Sequence, residues 1–138
     1  MKETVHASTV AIEARAVLMI GPSGAGKSDL ALRLIDRGAM LVSDDYTDLF
    51  ATGDMLIARP PATIAGKIEV RGLGILDMPY LPEAPVALVV RLGAPMERMP
   101  DAETYSLAER AIPSIALNPF EASAPIRIEL AMRRMPSK

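Results

Sequence analysis

Residues 21–28 read Gly-Pro-Ser-Gly-Ala-Gly-Lys-Ser, a complete match to the pattern G-x-x-x-x-G-K-[ST]. Each position has a physical task. The glycines reach backbone torsions that turn successive N–H groups into one cavity, where they can surround phosphate oxygens. The first turn of a following helix adds its partial positive charge. Lys27 supplies a mobile cation for the outer phosphates, and the Ser28 hydroxyl can ligate Mg2+. The flanks meet the motif's demands. Val17-Leu18-Met19-Ile20 predicts a strand before the loop, and Leu30, Ala31, Leu34 and Ile35 recur at helical spacing within residues 27–37, with Gly38 as a stop. Gly21, Pro22, Ser23, Gly24, Ala25, Gly26, Lys27 and Ser28 are therefore the expected nucleotide-binding residues. The loop alone does not say where a phosphoryl group goes, since NTPases, small-molecule kinases and nucleotide-regulated switches all share it.

The rest of the chain predicts strands more often than helices. Residues 4–12 and 13–20 alternate as two strands, and Met40-Leu41-Val42 is a short strand running into Asp44-Asp45. Leu49-Phe50-Ala51 and Met55-Leu56-Ile57 flank Gly53-Asp54, a hairpin signal. Residues 68–75 are strand-like, and 86–92 form the most hydrophobic strand. Helix is expected around 102–110 and again over 126–134. This pattern predicts an α/β fold with a mixed sheet and flanking helices rather than a doubly wound parallel one. At 138 residues the chain has room for one domain, spanning 1–138.

Composition narrows the function classes. A net charge of −2, with Lys and Arg dispersed, gives no electrostatic footprint for nucleic acid. The absence of cysteine excludes disulfides and thiolate metal sites. Charges or prolines interrupt every apolar run before it reaches the length of a membrane span. MKETVHAST lacks the apolar core of a secretory signal. A cytoplasmic protein with no membrane partner is the expectation.

Two further segments carry candidate chemistry. Asp44 and Asp45 end the strand after the loop helix, where parallel units aim residues at the phosphate site. One carboxylate could hold Mg2+ or accept a hydroxyl proton; a solvated turn is the plainer alternative. Adjacent residues of an extended chain point to opposite faces, so only one of the two is expected to aim at the reacting centre. In Ile68-Glu69-Val70-Arg71-Gly72-Leu73-Gly74-Ile75, a Glu and an Arg alternate with apolar residues before two glycines. Glu69 could complete a Mg2+ shell and Arg71 could neutralise phosphate charge, or the two could form a surface ion pair on an edge strand.

Together, GPSGAGKS, LVSDD and IEVRGLGI resemble, in order and near spacing, the catalytic domain of HPr kinase/phosphorylase, over about residues 5–92. That family phosphorylates a serine of HPr, a carrier protein of the sugar phosphotransferase system, on a P-loop fold akin to that of phosphoenolpyruvate carboxykinase. The resemblance implies Asp44 as general base, Mg2+ binding by Ser28 and Glu69, and phosphate contact by Lys27. It also implies an active-site role for His6, before the loop strand, and for an arginine after the strong hydrophobic strand, best matched by Arg98. ATP and Mg2+, an HPr-type partner and a homo-oligomer, hexameric on the family pattern, are implied by the same resemblance.

The chain departs from the family pattern in two places. It begins almost directly at the catalytic domain and so resembles short forms found in some proteobacteria. The family's glycine- and arginine-containing loop, associated with removing phosphate from the carrier, corresponds to Ile112-Pro113-Ser114-Ile115-Ala116-Leu117-Asn118-Pro119-Phe120, which has neither residue. The forward kinase reaction is therefore the expectation, with phosphorolysis slow or absent. The alternatives are a catalytically weak nucleotide-binding regulatory module and a small-metabolite kinase.

Overall fold

The computed structural model describes residues 2–135. The phosphate-loop motif is framed as its flanks require: β1 (Lys2–Val5), β2 (Ala7–Ile12) and β3 (Arg15–Ile20) lead into it, and α1 (Lys27–Asp36) leaves it. β4 (Met40–Ser43), β5 (Thr47–Thr52) and β6 (Met55–Arg59) follow, then a small ribbon of β7 (Lys67–Val70) and β8 (Gly74–Asp77). β9 (Ala84–Leu92), β10 (Glu103–Leu107), β11 (Arg110–Leu117) and α2 (Ala124–Arg134) complete the order.

Among the described residues nine strands join one mixed sheet along the path β1-β5-β6-β9-β3-β2-β4, with β11 and β10 branching from β9. The most apolar strand, β9, is its hub. It runs parallel to β3 through pairs such as Leu18↔Val89 and Ile20↔Arg91. Its end runs parallel to β11 and its start antiparallel to β6. A strand with neighbours along both edges and cover on both faces must be apolar nearly throughout, which is why 86–92 reads as a continuous hydrophobic run. Alternation then sorts the core into two clusters. Val17, Met19, Leu88 and Val90 pack with Leu30 and Leu34 of α1 and Ile128 and Met132 of α2. Ala16, Leu18 and Val89 face the other way, against Leu49, Leu56, Leu107 and Ile112. Strands β5, β6, β10 and β11 thus fold over the sheet face that carries no helix.

Gly38, with φ +112°, ends α1. Its N–H reaches Ile35 O and the Ala39 N–H reaches Leu34 O, both at 3.0 Å, the double closure that a glycine in this conformation permits. Across the helix pair, Arg37 donates to both carboxylate oxygens of Glu129, at 2.9 and 2.8 Å. That hydrogen bond holds the Glu129 carboxyl below the usual carboxylate range. A depressed carboxyl contributes stability above its unfolded value and loses it as pH falls through the folded one. Glu129→Gln should therefore melt below the parent at neutral pH and converge with it in acid, in thermal melts across that range.

Three expectations need correcting. Residues 102–110 are not helical: β10 and β11 form a hairpin there, with Leu107 opposite Arg110. Its two turn residues, Ala108 and Glu109, both have positive φ (47° and 62°), the backbone of a tight hairpin turn. The stretch 4–12 is not one strand. It changes partners at His6, from β5 on one side to β3 and β4 on the other. The last helix also starts earlier than read, at Ala124, with Pro125 in its first turn.

Candidate active site

The phosphate loop occupies the turn from β3 into α1, with Gly26 at the helix N-cap in a left-handed conformation (φ 94°). The Ala25 N–H closes back on Pro22 O at 3.0 Å. Lys27, only 6% exposed, extends along the loop and donates to the carbonyls of Gly21 (2.7 Å) and Pro22 (3.0 Å). A buried ammonium needs such partners. Gly21 itself lies against β9: a Cβ there would sit 3.0 Å from Leu92 O.

At the end of β4 the two aspartates part company. Asp44 is 6% exposed and turned inward. Its Oδ1 accepts from Ser28 Oγ at 2.6 Å and from Ser8 Oγ at 2.9 Å, and its Oδ2 accepts from the Glu69 N–H at 3.0 Å. A carboxylate offers about four acceptor positions, so three donors fix its orientation and leave one position free on Oδ2. Asp45 is exposed. It is the middle residue of a three-residue turn, with φ 71° and the Tyr46 N–H on Asp44 O at 2.8 Å. Such γ-turns are rare and strained, and strain of this kind gathers at functional sites. The turn is braced by a Ser43 hydroxyl bond to Tyr46 O and by the Asp45 N–H on Ser8 Oγ (3.1 Å). It sends the Asp45 carboxylate to His6, whose Nε2 lies 2.8 Å away. The His6 ring stacks on Tyr46 at 5.1 Å between centroids.

The structure thus brings Lys27, Ser28, Asp44 and the Glu69 backbone into one cluster, with His6 joined to its edge through Asp45. Ser8, which ties Asp44 to Asp45, was not singled out by the sequence reading. Its signal was a polar residue at an alternation position shared with core-facing Val10. Arg98 is placed differently: it lies in the exposed segment 93–102, outside the residues lining either cavity beside the loop. Arg91 instead lines a cavity of about 400 Å3 with His6, Gly21 and Tyr105, held by Ser114 Oγ at 3.0 Å and paired with Glu103. Arg71 is exposed at the tip of the β7–β8 ribbon, whose cross-strand ion pair is Lys67–Asp77 at 2.8 Å. Most of 112–120 is the strand β11; only 118–120 are free to form a loop.

Among the described residues no three His, Asp or Glu side chains gather to hold a metal unaided. Mg2+ commonly takes one or two protein oxygens, substrate phosphates and water. The Ser28 hydroxyl and Asp44 carboxylate are an all-oxygen pair beside the phosphate loop, whereas Glu69 meets Asp44 through its backbone N–H and is itself exposed. The donor set fits such a hard cation.

The family described as HPr Serine kinase C-terminal domain matches residues 1–82. The HPr kinase/phosphorylase of Clostridium acetobutylicum is 43% identical over 77 residues, covering 56% of this chain and 25% of that protein. That of Mycoplasmopsis pulmonis is 36% identical over 98 residues, covering 66% and 32%. The chain therefore spans between a quarter and a third of the length of these curated relatives. The structure of the Hpr(Ser) kinase/phosphatase from Coxiella burnetii aligns with a TM-score of 0.83 at 30% identity, over 96% of this chain and 95% of that one.

Proposed function

We propose an activity from one premise: the chain belongs to the HPr Serine kinase C-terminal domain family. Its reaction is transfer of the γ-phosphoryl group of ATP to a serine hydroxyl of an HPr-type phosphocarrier protein. The observation that carries this reading is the 2.6 Å Ser28–Asp44 contact, which joins the phosphate loop to a strand-end carboxylate. N–H groups of the loop and Lys27 hold and neutralise the phosphates. The Asp44 carboxylate takes the proton of the serine hydroxyl. The serine oxygen bonds to the γ-phosphorus while the bond to the β–γ bridging oxygen breaks, and ADP leaves with that electron pair. Mg2+ would be held by Ser28 and Glu69 and would offset charge on the phosphate oxygens.

The same contact favours a second assignment within this reaction. Asp44 would hold the cation, and the exposed Asp45–His6 pair would accept the proton. Glu69→Gln separates the cation ligands. With Glu69 as a ligand, the Mg2+ concentration for half-maximal rate rises, because a neutral amide is a poorer ligand for a hard cation. A drop in rate at unchanged Mg2+ dependence would make Glu69 an orienting residue instead.

The activity is tested by incubating the chain with labelled ATP, Mg2+ and an HPr-type carrier and mapping the phosphorylated residue. Phosphoserine on the carrier supports the reading. Nucleotide binding without transfer supports a regulatory module, and transfer to metabolites alone supports a small-molecule kinase. In the reverse direction, residues 112–120 offer neither arginine nor glycine to hold inorganic phosphate. Phosphorolysis of the phosphorylated carrier is expected to be slow or absent.

A further inference from the structure

The segment after β11 is pinned from two sides. Arg33 of α1 donates from Nη1 to Glu121 O at 3.3 Å and from Nη2 to Pro119 O, while its Nε holds Asp29 at 3.1 Å. From α2, Arg127 reaches Glu121 Oε1 at 2.6 Å. Within the segment, Asn118 Oδ1 accepts the Phe120 N–H at 3.0 Å. This scaffolding presents Phe120, 72% exposed, beside the phosphate loop: a Cβ on Gly26 would lie 3.3 Å from its ring. An aromatic ring fixed by its backbone yet left open to solvent is unusual for a side chain that gains so much from burial.

The ring borders a cavity of about 540 Å3, whose walls are Pro22 to Ala25 of the loop, Gly93, Ala94 and Met96, and Asn118 to Phe120. That volume is ordinary for a small-molecule site. None of these residues is charged or titratable. A second cavity at the loop, bordered by Gly21, differs, with His6, Arg91 and Tyr105 in its walls. A base lies one ribose beyond the α-phosphate, within reach of both cavities, since each shares a wall with the loop. Of the two cavities, the uncharged one, with an aromatic face and a thioether, suits a neutral planar ring. The one with the ionisable groups suits the phosphoryl acceptor.

We infer that the Phe120 cavity seats the nucleobase of the bound nucleotide, with Phe120 as the stacking face, Met96 as a second apolar contact and the Asn118 amide as a donor to the base edge. This rests on the phosphate-loop reading. Stacking tolerates any base because every base has a π-face, so the site discriminates nucleotides from bare polyphosphates more than one nucleotide from another.

The test is calorimetric affinity for ATP, GTP and inorganic tripolyphosphate in the parent, Phe120→Ala and Phe120→Trp proteins. Phe120→Ala should weaken ATP and GTP by about 5- to 100-fold, the range expected from base–aromatic stacking. Tripolyphosphate affinity should stay unchanged, and Phe120→Trp should retain nucleotide binding. An equal loss for tripolyphosphate would overturn the inference, because Phe120 would then act by shaping the loop. Undiminished ATP binding in Phe120→Ala would overturn it too, placing the base elsewhere or giving the cavity to the acceptor protein. If tripolyphosphate fails to bind the parent protein at all, the phosphate-loop reading falls first and takes this inference with it.

Discussion

Asp44→Asn is expected to keep its affinity for ATP and to lose phosphoryl transfer by ~10²-fold or more, the scale of a positioned general base. The hydrogen-bond pattern explains why the fold should survive. An asparagine can place its oxygen toward the Glu69 N–H, which cannot turn away, and its NH2 toward Ser8 and Ser28. Those hydroxyls can rotate from donating to accepting. What the amide cannot do is take a proton at neutral pH. Initial rates at saturating ATP and Mg2+, set beside calorimetric affinity, separate the two effects. A near-native maximal rate with a raised Mg2+ requirement would give Asp44 to the cation and the proton to the Asp45–His6 pair.

Lys27→Ala should weaken nucleotide binding and transfer together, because the ammonium serves the phosphates before and during transfer. Charge-assisted hydrogen bonds contribute about 1.5–3 kcal/mol, so affinity should fall on the order of 10- to 100-fold. A structural component adds to this. Nζ also binds the Gly21 and Pro22 carbonyls, so the alanine protein loses a brace of the loop as well as a charge. Calorimetry with ATP reads the combined loss. Unchanged affinity would count against residues 21–28 as the phosphate site.

Strong local codes made part of this fold legible from sequence. The loop with its flanking strand and helix, the Gly38 stop and the Gly53-Asp54 hairpin all rest on glycines at defined positions or on clean periodicity. The hairpin at 103–117 had no such mark. Its turn is Ala108-Glu109, two good helix formers held at positive φ, so local preference pointed to helix and the pairing of β11 with β9 prevailed. Glu13 and Ala14 make the equivalent turn between β2 and β3, also at positive φ. There the apolar alternation on either side was strong enough to keep the strands readable. In the site, alternation along an extended chain predicts that Asp44 and Asp45 diverge; they do, but through a γ-turn centred on Asp45 rather than through an extended backbone. Ser8 and Arg91 were harder because their partners are distant in sequence: Asp44 for the first, Ser114 and Glu103 for the second.

The parallel pairing of β3 with β9 has a consequence for how the chain comes to be folded. β3 ends at Ile20 and its partner spans Ala84–Leu92, so the strand that launches the phosphate loop keeps an open edge while some sixty intervening residues are synthesised. Closing a parallel pair over such a separation is intrinsically slow, because the loop entropy must be overcome before the contacts form. Gly21 takes its place against the Leu92 carbonyl, so the loop acquires its final shape only when β9 docks. A nucleotide that needs that shape cannot guide early collapse. It stabilises the chain only once that pair has formed, as a ligand that binds the folded state and not the unfolded one.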